Sequence, residues 1–214
     1  MTGLHLSALT VRRGADTLVS LNTIVAPGEV LTIMGPSGSG KSTLLAAIIG
    51  TLQPAFTLHG QIVLNGHDVS HLPTRARRIG LLFQDDILFP HLSVAGNLAF
   101  ALPPDGASRA LRMARVDQAL EEAGLAGFGP RDPATLSGGQ RARVALMRTL
   151  LAAPAALLLD EPFSRLDATL RHQIRGFVLD TARAKGLPVI LVTHDASDAA
   201  AAGGRVLSPM GQPL

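Results

Sequence analysis

Three stretches of the chain carry residue types that could act on a phosphorylated ligand. Gly35 to Ser42 reads Gly-Pro-Ser-Gly-Ser-Gly-Lys-Ser and matches the phosphate-binding pattern GxxxxGK[ST]. Gly35, Gly38 and Gly40 leave backbone N–H groups unobstructed, with Pro36, Ser37 and Ser39 between them. Lys41 adds a full positive charge and Ser42 offers a hydroxyl to Mg²⁺. A helix beginning near Lys41 would aim its positive end at the same point. The second stretch, Leu157-Leu-Leu-Asp160-Glu161, is an apolar run ending in two carboxylates. Asp160 can hold Mg²⁺, usually through water, and Glu161 can then polarise an attacking water, a general-base contribution of about 10² to 10⁴ in rate. The third stretch, Leu136-Ser137-Gly138-Gly139-Gln140, sets a hydroxyl and open N–H groups before an amphipathic helix, a second anion site in the same chain.

These loops need strands and helices to hold them. Val30 to Met34 is an apolar strand leading into the glycine loop, and Thr43 to Ile49 is the helix leaving it, stopped by Gly50 and Pro54. Ala155 to Leu159 and Pro188 to Thr193 are apolar without alternation, as in strands buried on both faces of a parallel sheet. Ile79 to Phe83 is a further strand, ending in Gln84-Asp85-Asp86. Open α/β sheets bind ligands at the carboxyl ends of their strands, the edge toward which both Glu161 and His194 point. Leu4 to Val11 and Leu18 to Val25 flank the turn Arg13-Gly14-Ala15-Asp16 as a hairpin-like pair, and Gln61 to Leu64 ends in the turn Asn65-Gly66. From Ile87 to about Ala153 helices and loops replace strands, as if a helical lobe were inserted. Met113, Val116, Leu120 and Ala123 give one helical stripe, and Val144, Met147, Leu150 and Leu151 another, with Arg141, Arg143 and Arg148 available to the solvent face. Arg75, Arg77 and Arg78 read as a solvated basic run.

Composition narrows the classes. With 214 residues and 47% apolar content the chain can bury a substantial core. It has no cysteine, which excludes disulfides and thiolate metal sites. Trp and Tyr are absent and aromatic content is 3%, which argues against a base-stacking nucleic-acid platform. The net charge of +3 suits phosphate ligands or an anionic membrane face. The start of the chain lacks the pattern of a secretion signal, and the longest apolar run, Val144 to Leu159, is broken by Arg148 and Pro154. Action at a membrane would therefore require docking onto other polypeptides.

Taken in order, the motifs resemble those of an ATP-binding cassette (ABC) ATPase over nearly the whole chain. The Walker A loop is Gly35 to Ser42, the Q-loop glutamine Gln84, the signature Leu136 to Gln140 and Walker B Leu157 to Asp160, followed by Glu161. The D-loop is Ser164-Arg-Leu-Asp167 and the switch histidine is His194. Phe83 to Phe100 is similar to the importer-type ATPases serving sulfate, molybdate, iron, polyamine, sugar or thiamine uptake, and Asp132 to Arg148 with Asp160 to Asp167 looks closest to the YnjD-like group. The resemblance implies an α/β fold: a P-loop NTPase (RecA-like) core with an antiparallel β subdomain and an inserted α-helical subdomain. One domain would span 1–214, with 1–86 and 154–214 forming the core and 87–153 the helical signature part.

It also implies roles. Lys41 would contact the β- and γ-phosphates of ATP and Thr43 the α-phosphate, while Ser42, Gln84 and Asp160 address Mg²⁺. Glu161 would act as the general base and His194 would sense the γ-phosphate. Ser137, Gly138, Gly139 and Gln140 would close on ATP from a second, head-to-tail copy, with Asp167 linking the two sites. The resemblance implies a peripheral subunit on the cytoplasmic face of a bacterial inner membrane, bound to separate transmembrane permease subunits, with a periplasmic binding protein in the same system and no nucleic acid. A lipid or lipoprotein exporter ATPase, and a soluble cassette acting on nucleic acid or ribosomes, are the competing readings. Two positions depart from the pattern. Arg13 stands where an adenine-stacking aromatic is usual; stacking contributes about 1–3 kcal/mol, and a guanidinium recovers part of that, so weaker or less base-selective binding is expected. Arg165 occupies a D-loop position where a small residue is common.

Overall fold

The runs without alternation form a parallel sheet, and the N-terminal runs form an antiparallel one. The computed structural model describes residues 2–85 and 87–214. Met1 and Asp86, the latter closing the Gln84-Asp85-Asp86 run and the first core segment, lie outside the described residues. The antiparallel sheet contains β1 (Leu4–Arg13), β2 (Asp16–Val25), β4 (Thr57–Leu64) and β5 (His67–Asp68), in the order β2-β1-β4-β5. The second sheet, parallel throughout, contains β3 (Val30–Met34), β6 (Ile79–Leu82), β7 (Ala156–Asp160), β8 (Val189–Thr193) and β9 (Val206–Leu207), in the order β6-β7-β8-β3-β9. Helix α1 (Lys41–Ile49) follows β3, and the short α2 (Thr74–Arg77) precedes β6. Between β6 and β7 lie α3 (Val94–Ala101), α4 (Arg109–Glu122), a 3-10 turn at Pro133–Thr135 and α5 (Gly138–Leu151). Helices α6 (Ala168–Ala184) and α7 (Ala196–Ala202) flank β8. This is the α/β P-loop architecture expected, with its antiparallel sheet and its inserted helices.

The parallel sheet separates two cores. Leu157, Leu159, Val189 and Leu191 face the helices α3 to α6, while Leu158, Ile190, Val192, Leu31 and Ile33 face α1 and the antiparallel sheet. Because successive side chains of a strand point to opposite faces, burial on both sides demands an unbroken apolar run. Strand order does the rest. With β7, β8 and β3 adjacent, Asp160 opposite Val192 and Met34 opposite Thr193, the loops that follow all three strands emerge at one edge.

Two expectations about arginines are corrected. Arg77 is 6% exposed and does not lie on a solvated face. It donates to the carbonyls of Ala47 at 2.9 Å and Ile48 at 2.8 Å, in the last turn of α1, and to Ser70 at 2.7 Å and Leu72 at 2.8 Å. The last carbonyls of a helix have no partner within it, and a buried helix end needs an outside donor. Arg141, Arg143 and Arg148 are half-buried as well. Arg141 donates to the Leu136 carbonyl at 2.7 Å and Arg143 to that of Ala123 at 3.0 Å, while the Arg148 guanidinium lies 5.2 Å from the centre of the Phe89 ring. Helix α5 packs against the core along much of its length, which brings these arginines to partners within the protein.

Buried Asn97 orders the loop that precedes α3. Its oxygen accepts the Phe89 N–H at 2.8 Å, and its amide nitrogen donates to the carbonyls of Phe89 at 3.1 Å, Leu92 at 3.2 Å and Ser93 at 3.1 Å.

Candidate functional site

Helix α1 begins at Gly40, which has φ 98° and supplies no side-chain cap. A Cβ there would stand 2.8 Å from the Leu18 carbonyl oxygen, so β2 approaches the loop too closely for any other residue. The first N–H groups of α1 therefore lack a side-chain acceptor from the cap position, and an anion can bind them. Lys41 is 5% exposed; its Nζ donates to the carbonyls of Gly35 at 2.7 Å and Pro36 at 2.9 Å and lies 3.7 Å from Glu161 Oε1. Ser37, Gly38, Gly40, Lys41, Ser42 and Thr43 form one wall of a cleft of about 470 Å³. Pro36 is exposed beside that wall, and the Ser39 hydroxyl is buried against Gly35 with no hydrogen-bond partner among the described residues.

Gln84, Asp160 and Glu161 complete the lining of the cleft. Burial, reinforced by the charge of Glu161, raises the Asp160 pKa above its ordinary value; Lys41 and the Ser42 hydroxyl partly offset this. Glu161 has φ 45°, a left-handed conformation that costs a non-glycine residue about 1–2 kcal/mol. Its N–H donates to the Val192 carbonyl at 2.9 Å and its carbonyl accepts the Ser164 hydroxyl at 2.9 Å, so neighbouring elements hold the strained backbone in place. Its Oε2 lies 3.0 Å from Nδ1 of His194. The carboxylate thus sits between an ammonium and an imidazole, aimed at the cleft that α1 also faces. A phosphoester bound at α1 would meet a general base there.

Residues 18–164 match the family described as ABC transporter. This chain belongs to the ABC transporter family. As a member it binds and hydrolyses ATP. It is 53% identical over 181 residues to the ABC transporter ATP-binding protein YnjD of Escherichia coli (strain K12), covering 85% of this chain and 83% of the relative. It is 46% identical over 196 residues to the thiamine import ATP-binding protein ThiQ of Cereibacter sphaeroides, covering 92% and 83%. With the Fe(3+) ions import ATP-binding protein FbpC of Streptomyces coelicolor it shares 44% identity over 205 residues, 95% of this chain but 58% of the relative.

Not every candidate residue of this ABC ATPase reaches the cleft. Ser137, Gly138, Gly139 and Gln140 do not line it. Ser137 caps α5: its hydroxyl accepts the Gln140 N–H at 3.3 Å, and the Gln140 side-chain oxygen accepts the Ser137 N–H at 2.9 Å. Gly139 is buried, and a Cβ there would lie 2.5 Å from Leu170 Cδ1, the movable end of a side chain on α6. Gly138 instead lines a separate hollow with Gln84, Asp85, Arg141 and Arg165. Asp167 is exposed and caps α6, accepting the Leu170 N–H at 3.0 Å. Arg13 is exposed at the β1–β2 turn, opposite Asp16, and does not line the cleft.

Sequence reasoning missed the bonds between loops. Gln84 donates its amide to the Ser164 hydroxyl at 3.0 Å, and Arg165 pairs with Asp85. The D-loop arginine thus meets the Q-loop aspartate in a pair that is exposed on both sides. Nothing in the residue pattern connects positions 80 apart.

Proposed function

We propose that this chain is the ATP-hydrolysing subunit of a bacterial importer for a small solute, acting on Mg²⁺–ATP as a head-to-tail pair of identical cassettes. One observation carries the reading. The open end of α1 and Glu161 share a cleft, with His194 3.0 Å from Glu161 but not lining it, while the signature residues Ser137 to Gln140 stand outside it in the same chain. A second copy would supply its own signature to complete each cleft, with Asp167 near the junction. Residues 1–86 with 154–214 act as the nucleotide-binding core, and 87–153 as the lobe that carries the signature.

Lys41 and the N–H groups of α1 bind the phosphates, and Thr43 adds a contact at the α-phosphate. Glu161, released from Lys41 as that ammonium turns to phosphate, takes the proton of the attacking water from its place beside His194. The donor set fits Mg²⁺: the Ser42 hydroxyl, the Asp160 carboxylate and the Gln84 amide oxygen are hard oxygen ligands. Among the described residues no cluster of three His, Cys, Asp or Glu side chains could hold a metal alone, which matches an ion bound jointly with phosphate oxygens. Bound there, Mg²⁺ neutralises charge on the β- and γ-phosphates.

No helix among the described residues is long and apolar enough to cross a membrane. Exposed Phe83, Ile87 and Phe100 offer an apolar surface for the cytoplasmic helices of permease subunits, on the cytoplasmic face of the inner membrane. Import is the function named for the thiamine and iron relatives, and the reading extends it to this chain and adds a periplasmic binding protein in the same system. Glu161→Gln with ATP should elute as a dimer in size-exclusion chromatography while wild type does not. A variant that binds ATP yet stays monomeric overturns the paired site, and wild type that fails to hydrolyse ATP with its membrane partners present overturns the importer reading.

A further inference from the structure

Glu161 and His194 lie on different loops, after β7 and after β8, so their 3.0 Å contact requires something to set one loop against the other. Arg171, in the first turn of α6, touches both. Its Nε donates to the Phe163 carbonyl at 3.1 Å and its Nη2 to the Ser164 carbonyl at 3.4 Å, on the Glu161 side. Its Nη1 pairs with Oδ2 of Asp195, the residue after His194. Both contacted loops are fixed further. Asp195 Oδ1 accepts the Ser197 N–H at 2.8 Å, and the Asp195 N–H donates to Thr193 Oγ1 at 3.0 Å, which ties Asp195 to the end of β8 and the start of α7. Ser164 donates to the Glu161 carbonyl at 2.9 Å and accepts from Gln84 at 3.0 Å. Arg171 itself does not line the cleft.

We propose that Arg171 is a positioning residue for ATP hydrolysis, holding the Glu161 loop and the His194 loop in one register through Phe163, Ser164 and Asp195. The inference rests on the reading that Glu161 and His194 act in hydrolysis. A planar guanidinium donates in several directions at once, which a lysine ammonium at the end of a flexible stem reproduces only in part. Displacing a catalytic group by about 1 Å costs roughly 10²-fold in rate. Because Arg171 hydrogen-bonds to neither the P-loop nor α1, its loss should fall on kcat and leave the KM for ATP in place.

Arg175, one turn further along α6, separates positioning from simple stability. It pairs with Asp198 at 2.9 Å and donates to the Ser197 carbonyl at 3.1 Å, so it also braces α7 but bonds to neither the Glu161 loop nor Asp195. The experiment is steady-state ATP hydrolysis by the protein assembled with its membrane partners, with Tm measured on each variant. Arg171→Met should lower kcat roughly 10- to 100-fold with KM within about twofold. Arg171→Lys, which keeps a charge opposite Asp195, should fold like wild type and lose roughly two- to tenfold in kcat. Arg175→Met should lower Tm and leave kcat within about twofold of wild type below its melting range. The inference is overturned if Arg171→Lys retains full kcat, if Arg171→Met loses no more kcat than Arg175→Met, or if KM rises in proportion. Glu161→Gln is the control for the underlying reading: an inactive variant upholds it, whereas one hydrolysing at the wild-type rate overturns the reading and this inference together.

Discussion

The two helix N-termini built for anions differ in what they leave unsatisfied. At α1 the cap is Gly40, with no side chain to accept from the first turn, and the nearest cation, Lys41, is parked on the Gly35 and Pro36 carbonyls. At α5 Ser137 and Gln140 close a reciprocal capping box and satisfy each other's N–H groups. The first end is ready for phosphate in a single chain. The second is self-satisfied, its cap closed by its own side chains, and in the paired arrangement we propose it would meet a phosphate brought by another copy. The same motif chemistry, glycine and hydroxyl before a helix, therefore yields an open helix end in one place and a closed one in the other.

Lys41→Ala tests the contrast most severely. Charge-assisted hydrogen bonds contribute about 1.5–3 kcal/mol, so ATP affinity of the isolated chain should fall roughly 10- to 150-fold by calorimetry. Ser137→Ala should leave that affinity within about twofold; an equal loss would erase the distinction between the two ends. Next in size is the backbone requirement at α1. Gly40→Ala must move the Leu18 carbonyl in addition to adopting φ 98°, whereas Gly38→Ala, with φ 79° and open space, incurs only the left-handed cost of about 1–2 kcal/mol. Thermal melts should rank Gly40→Ala well below Gly38→Ala, and equal melting temperatures would show that the close approach of β2 is not what demands glycine. Losing the α5 cap should be milder: Ser137→Ala should cost about 1 kcal/mol, a drop of about 2–4 °C in Tm for a chain of this size.

The smallest effect has an unusual sign. Asp160 has a folded-state pKa above its ordinary value of 3.8, so the folded state binds its proton more tightly than the unfolded chain does. Its contribution to stability is complete below 3.8 and is lost as pH rises through the raised value, leaving a buried charge that burdens the fold at neutrality. Asp160→Asn should therefore raise Tm at pH 7 without nucleotide, with a gain that shrinks on acidification toward 3.8. A lower Tm at pH 7 would mean that Lys41 and Ser42 outweigh the burial of Asp160.

What could be read without the structure was whatever is encoded locally. The phosphate loop is specified within eight consecutive residues, and the two-faced strands by unbroken apolar runs, so Lys41, Asp160 and Glu161 could be named from residue order alone. The arginines could not. Arg77 serves carbonyls about 30 residues earlier, Arg171 a carboxylate 24 residues later, and Arg165 a partner 80 residues away, and nothing in the local sequence marks any of these partners. Sequence by itself determined the chemistry of this protein, because a glycine loop and a paired carboxylate depend on neighbours in the chain. Only the tertiary structure decided which helix end is open, which is closed, and which side chains bridge the loops after β7 and β8, because those depend on partners that strand order alone brings within reach.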